Sequence, residues 1–242
     1  MKIVAKTDIG KKRNSNQDSY AAGELPNSVA WAIVCDGMGG AAGGNVASSN
    51  AVKIISERIT SSYRPGMSPI SIKNMLISAI TAANISIYDM SRVNKELDGM
   101  GTTVVCTVVV DGTAFIAHAG DSRAYAITED SIVQLTKDHS VVQQLVENGE
   151  ITAKEAKTHP RKNLITRALG VDADIKIDYC EYDFKENDIL ILCTDGFTNY
   201  VENDEFLSIV DNNSYYEIAD KLVEAANNNG GGDNITVVAL AY

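Results

Sequence analysis

Residues 102–119 read TTVVCTVVV, then DG, then TAFIAHA, placing Thr102 to Val110 and Thr113 to Ala119 on either side of Asp111-Gly112. β-Branched side chains are stiff in a helix and pack well on a pleated surface, so both runs predict strands. Asp-Gly tolerates the positive φ angles that a tight two-residue turn demands, which makes the pair an antiparallel hairpin. Outward from it, Ser122 to Ile127 and Ile132 to Leu135 suggest a second hairpin around Thr128 to Asp130. Val29 to Cys35 (VAWAIVC), Ile189 to Cys193 (ILILC) and Ile235 to Tyr242 (ITVVALAY) are further buried strands. Short connections between neighbouring strands favour antiparallel pairing.

Helical periodicity fills the gaps. Ala47, Ala51, Ile54, Ile55 and Ile59 recur at helical spacing, as do Ile72, Leu76, Ile80, Ala83, Ile87 and Met90, with Pro65 and Pro69 between the two sets. Glu202 to Val210 and Tyr216 to Ala226 form two more amphipathic stretches. Helices do not alternate one-for-one with strands, which argues against a doubly wound parallel sheet and for an α+β arrangement of two antiparallel sheets flanked by helices. Residues 138–170 are polar, with helical fragments and Pro160, and read either as a flap over a site or as an ordinary surface excursion. No linker or low-complexity tract divides the chain, so residues 1–242 are expected to form a single domain.

The charge balance narrows the partners. Asp plus Glu number 32 against 21 Lys plus Arg, and the net charge of −11 disfavours binding to nucleic acid or to an anionic membrane. That charge is either a solvated surface or, in part, acids converging on cations. The cysteines, Cys35, Cys106, Cys180 and Cys193, show no metal-ligand spacing, and three of them lie in apolar strands, as buried thiols in a reducing compartment do. Met1 to Gly10 has no signal-peptide character, and the longest strongly apolar run, Val104 to Val110, falls far short of the roughly 20 residues that span a bilayer. A cytoplasmic, soluble protein is expected.

One short internal echo carries chemistry: WAIVCDG (Trp31 to Gly37) and ILILCTDG (Ile189 to Gly196) are both apolar strands ending in Asp-Gly. Such an end sets a carboxylate at the rim of a sheet, and the glycine lets the backbone approach a ligand. Asp233 in GGGDN precedes the last strand, Asp121 in AGDSR follows another, and Asp18 in NSNQDSY lies near the N-terminus. Any one of these is ordinary turn chemistry. Several acids at strand ends would repel one another unless cations hold them together. Carboxylates and backbone carbonyls without His or Cys suit Mg²⁺ or Mn²⁺ rather than zinc, and a pair of such ions is the usual core of a hydrolytic site.

Arg13, five residues before Asp18, could grip two phosphate oxygens at once, whereas Lys11 and Lys12 read as surface charges. Gly37 to Ala42 fits GxGxxA, a weak dinucleotide signal opposed by Asp36 and by the missing second strand after one helix; no GK[ST] follows for a P-loop. His118 reads as core, His139 and His159 as local hydrogen-bonding groups, and Ser122 has no base beside it in sequence.

Taken in order, RNSNQD (Arg13 to Asp18), VCDGMGG (Val34 to Gly40), GMGTT (Gly99 to Thr103), HAGDSR (His118 to Arg123), LITRALG (Leu164 to Gly170), CTDG (Cys193 to Gly196) and GGDN (Gly231 to Asn234) resemble the metal-dependent serine/threonine protein phosphatases of type 2C, bacterial branch. The resemblance implies a four-layer α-β-β-α sandwich and a phosphatase acting on phosphoserine and phosphothreonine through a dinuclear Mn²⁺ or Mg²⁺ centre with a bridging hydroxide. It implies that Asp36 bridges the metals, that Gly37 lends its carbonyl, and that Asp195 and Asp233 complete the set. Asp121 with Asp195 would hold a third, weaker ion; Arg13 would grip the phosphate; Asp18 and Asn234 would act behind the metals, Asp18 through metal-bound water. Residues 138–170 match the family's flap. Implied partners are phosphorylated proteins, a serine/threonine kinase among them, and a monomer is expected. Two positions depart from the family pattern: Gln17 stands where many relatives carry Glu, and Met38 stands where eukaryotic relatives carry a histidine proposed as general acid. The same fold also serves regulators of anti-sigma-factor antagonists, usually fused to sensor domains for which this chain has no room. A third reading, a catalytically dead binding module, is opposed by the intact Asp36, Asp195 and Asp233.

Overall fold

A computed structural model describes residues 1–129 and 131–242, apart from the side chains of Ala41 and Ala42; Asp130, in the expected second hairpin turn, lies outside the described residues. The strands are β1 (Lys2–Asp8), β2 (Asp18–Leu25), β3 (Val29–Met38), β4 (Gly101–Thr102), β5 (Val104–Val110), β6 (Thr113–Ala119), β7 (Arg123–Ile127), β8 (Ile132–Gln134), β9 (Asp178–Asp183), β10 (Ile189–Cys193) and β11 (Ile235–Ala241). The helices are α1 (Gly40–Ser62), α2 (Pro69–Val93), α3 (Val141–Glu147), α4 (Ala153–Ala156), α5 (Asp195–Thr198), α6 (Asn203–Asn212) and α7 (Ile218–Asn228).

They build two antiparallel sheets, ordered β1-β11-β10-β7-β8 and β2-β3-β5-β6-β9, with β4 paired to β3. The β5–β6 hairpin turns at Asp111 (φ 46°) and Gly112 (φ 78°), both in the left-handed region that Asp-Gly was expected to supply. Every strand alternates faces. On β3, Val29, Trp31, Ile33 and Cys35 pack under α1 and α2, whereas Ala30, Ala32 and Val34 meet Leu190, Leu192, Val238 and Leu240 of the other sheet. On β11, Ile235, Val237 and Ala239 turn the opposite way and pack under α5–α7. The result is helices, sheet, sheet, helices.

Several local expectations shift. Pro69 does not merely separate two helices: it opens α2 from inside the first turn, where its missing N–H costs nothing, and the Ser68 side chain caps that end by accepting from the Ser71 N–H. α2 runs to Val93, three residues past Met90, the last of its periodic apolar positions, and Lys95–Leu97 follows as a separate 3-10 turn. Strands β1, β2 and β9 have no apolar run to announce them, because their exposed positions carry Lys2, Lys6, Glu24, Glu181 and Asp183. α2 is long and apolar enough to cross a bilayer, yet its Ile72, Leu76, Ile80, Ala83 and Ile87 are buried against the sheet. All four cysteines are free, and Cys35, Cys106 and Cys193 are buried.

His118 on β6 is buried; its Nε2 accepts from the Lys137 N–H, and its Nδ1 has no partner. Burial pushes its pKa down to about 4 from the ordinary 6.5. The unfolded chain therefore takes up this proton first as pH falls, so stability present above pH 6.5 is lost between pH 6.5 and 4. Urea unfolding at pH 7.5 and 5 should show wild type losing about 2 kcal/mol more than His118→Leu. Parallel losses in the two proteins would refute the assignment.

Candidate active site

The site is built where the ends of both sheets meet. Asp36 shares the inward face of β3 with Ala32 and Val34, and the β2–β3 register sets it directly opposite Asp18. Asp36 is not the end of its strand, as the Asp-Gly pattern suggested: β3 continues through Gly37 and Met38, which pair with Thr102 and Gly101. The reason lies in the two threonines. The Thr103 N–H (2.9 Å) and Thr102 Oγ1 (2.8 Å) donate to the Asp36 carbonyl, and the Asp36 N–H donates to Thr103 Oγ1 (2.9 Å). Thr103 Oγ1 also lies 2.6 Å from Ser122 Oγ, beside Asp121. Sequence reading assigned these hydroxyls no function; the TT pair of GMGTT was their only signal.

Asp18 ties the two sheets together. It is buried, and its Oδ2 accepts from Thr194 Oγ1 (2.9 Å) and Thr236 Oγ1 (2.7 Å), one residue before Asp195 and one residue into β11. Asp195 is the first residue of α5, and Asp233 lies two residues before β11. Asn234 staples the N-terminal loop to this end: its Oδ1 accepts from the Gln17 N–H (2.8 Å), and its Nδ2 donates to the Ile9 and Ser15 carbonyls (2.9 Å each). That loop carries Arg13, whose Nη2 donates to Asp233 Oδ2 at 2.7 Å. Gln17 donates from Nε2 to the Gly40 carbonyl, so a neutral amide here anchors the start of α1. Gly37 packs so closely on α1 that a Cβ would run into the Gly44 carbonyl and stand 2.6 Å from the Gln17 carbonyl oxygen.

A cavity of about 550 Å³ opens on this ground, lined by Arg13, Asp36, Gly37, Asp121, Asp195, Asp233 and Asn234. Asp18 stands behind the lining. Lys12, expected at the surface, also lines the cavity, as do Asn163 and Ile165 from the 138–170 segment, neither of which was expected there. Met38 is on the wall, and no histidine lines it among the described residues. A second cleft of about 540 Å³, between α3–α4 and α5–α6, reaches the same Asp121 and Asp195.

The acids crowd one another. Burial first, then the charges of Asp18, Asp195, Asp121 and Asp233, hold the Asp36 carboxyl well above its usual range. Burial and then Asp195 push Asp121 up to about 8. Asp18 rises to about 7, again by burial first, opposed by its threonine hydrogen bonds. Asp195 is raised by burial and by Asp233. Asp18 Oδ1 and Asp195 Oδ1 are buried without any hydrogen-bond partner. Orphaned oxygens among mutually repelling carboxylates fit hard divalent cations, which would make the ionised forms favourable. Among the described residues, no three His, Cys, Asp or Glu side chains close into a ligand cage. The acids ring an open cavity instead, as a site completed by backbone carbonyls, water and substrate would.

Comparison with known proteins places the chain in a family. The protein phosphatase 2C family matches residues 7–235. The serine/threonine phosphatase stp of Listeria welshimeri is 38% identical over 236 residues, covering 97% of this chain and 93% of that protein. The structure of the serine/threonine phosphatase Stp1 from Staphylococcus aureus superposes with a TM-score of 0.92 at 33% identity, covering 99% of this chain and 94% of that one. The catalytic domain of the serine/threonine phosphatase PstP, solved in complex with two manganese ions, superposes with a TM-score of 0.85 at 31% identity, covering 98% and 96%.

Proposed function

The chain belongs to the protein phosphatase 2C family, and on that footing we propose that it removes phosphate from phosphoserine and phosphothreonine of proteins at this carboxylate-lined cavity. It is a metal-dependent serine/threonine phosphatase. The supporting observation is the convergence of Asp36, Asp121, Asp195 and Asp233 on one cavity with Arg13 at its rim. In this reading Asp36, the Gly37 carbonyl, Asp195 and Asp233 would hold two Mn²⁺ or Mg²⁺ ions, and Asp121 with Asp195 would hold a third more weakly. Held there, the ions would neutralise the phosphate and activate a water for in-line attack on phosphorus.

The chain's own residues do the rest. Arg13 presents a two-pronged donor to the phosphate, and its present partner Asp233 keeps it beside the reacting group. Asp18, pinned by two hydroxyls, holds charge behind the cavity, while Asn234 keeps the Arg13 loop in place. The 138–170 segment, with Asn163 and Ile165 on the cavity wall, acts as a flap of a single 1–242 catalytic domain. The substrates are phosphorylated proteins, and the enzyme opposes a serine/threonine kinase. The net charge of −11 supports a protein that avoids nucleic acid and membranes, and the buried free thiols support a reducing, cytoplasmic setting, where the chain acts as a monomer.

The test is hydrolysis of p-nitrophenyl phosphate and of a phosphothreonine peptide. Turnover should require Mn²⁺ or Mg²⁺ and vanish with EDTA; metal-independent turnover would sink the reading. In the same assay Arg13→Ala should raise KM about tenfold, with a smaller effect on kcat, as expected when a charge-assisted contact to substrate is lost. An unchanged KM removes Arg13 from that role.

A further inference from the structure

His139 lies at the root of the 138–170 segment and contributes nothing to the cavity lining. It nevertheless clasps the turn that carries Asp121. The His139 N–H donates to the Gly120 carbonyl, and the Gly120 N–H donates to His139 Nδ1, both at 3.0 Å. Gly120 (φ 112°) is seated from the other side against Thr103, whose Cβ would stand 2.6 Å from a Cβ at Gly120. With Nδ1 accepting, the ring proton sits on Nε2, which is 3.1 Å from Asp178 Oδ2. Arg167 Nη1 donates to Asp178 Oδ1 at 2.8 Å and lies 2.8 Å from the same Nε2. The His139 carbonyl accepts from the Thr166 N–H at 2.7 Å, next to Ile165 on the cavity wall.

We propose that His139 is a positioning residue: its Nδ1 holds the Gly120-Asp121 turn so that Asp121 faces the cavity, and its links to Thr166 and to Asp178, which Arg167 holds in turn, tie that orientation to the flap. The proposal rests on the reading of Asp121 as part of a cation site. Second-sphere partners of this kind typically change metal affinity by about 10–100-fold.

Asn and Gln separate the two sides of the ring. His139→Asn keeps an acceptor near the Nδ1 position, whereas His139→Gln reaches only the Nε2 side. Titration calorimetry with Mn²⁺ on the purified chain should show the weakest binding step loosened about tenfold in His139→Gln and within twofold of wild type in His139→Asn. Asp178→Asn, at a part-exposed site away from Gly120, should loosen it severalfold and guards against a Gln variant that fails to fold. His139→Gln should add nothing to the loss caused by Asp121→Asn. Equal affinities in the Asn and Gln variants, together with no change in Asp178→Asn, overturn the proposal and leave the phosphatase reading intact. A wild-type chain that binds no Mn²⁺ overturns both.

Discussion

Asp36→Asn is expected to lower turnover by at least ~10³-fold at saturating Mn²⁺, the loss of ~4 kcal/mol or more of transition-state stabilisation. The substitution is nearly isosteric, and the strand around it is held by backbone contacts to Thr102 and Thr103 that an amide does not disturb. What it removes is one negative charge from a set in which Asp18, Asp195, Asp121 and Asp233 all oppose the ionisation of Asp36. In EDTA the variant should therefore melt no lower than wild type, and it should lose the upward shift in Tm that Mn²⁺ gives wild type. Thermal melts with and without Mn²⁺, beside the hydrolysis assay, check both halves. Retained turnover would refute the place given to Asp36, and a large drop in Tm in EDTA would make its role structural.

Gly196→Ala should cost about 3 kcal/mol, lowering Tm by about 6–12 °C in a chain of this size. A Cβ at Gly196 would run into the Asn234 carbonyl and stand 3.3 Å from the Cβ of Asp233, so the first turn of α5 and the approach to β11 would have to separate. That movement also pulls Asp195 away from Asp233, so Mn²⁺ affinity should fall with stability. Gly149→Ala is the control: Gly149, unlike the helical Gly196, has a backbone conformation that favours glycine (φ 74°), yet a Cβ there meets nothing within 4 Å. It should cost only about 1 kcal/mol. Equal melting temperatures for the two variants would show that close approach at Gly196 is not what excludes a side chain.

Much of the fold is legible because burial writes itself into the sequence. The β5–β6 hairpin, with its β-branched strands and Asp-Gly turn, is present as read, and so is the antiparallel pairing of both sheets. Where burial is partial the pattern fades. β1, β2 and β9 carry Lys, Glu and Asp at exposed positions and give no periodic signal. The end of β3 was misplaced because its last pairing, with Gly101 and Thr102, is made by residues more than sixty positions away. The weak GxGxxA signal also resolves here: β3 is flanked by antiparallel β2 and β5, and α1 leads into α2 rather than into a parallel strand.

The sequence by itself determined the chemistry of the site: acids beside glycines at strand ends, Arg13 near the N-terminus, and no His or Cys among the candidate metal-binding residues. Residue type and local turn geometry are short-range properties, so the chain order displays them. Only the tertiary structure decided which acids share a cavity, which one stands behind it, and what holds them there. Asp18 and Asp233 are 215 positions apart, yet Asp18 bonds to Thr236 and Asp233 receives Arg13. The charge of −11 divides along the same line, because a carboxylate becomes a candidate ligand or stays a surface charge according to its distance from other carboxylates and from water. Folding sets those distances by closing two sheets, one of which pairs the two ends of the chain, on a shared apolar interior.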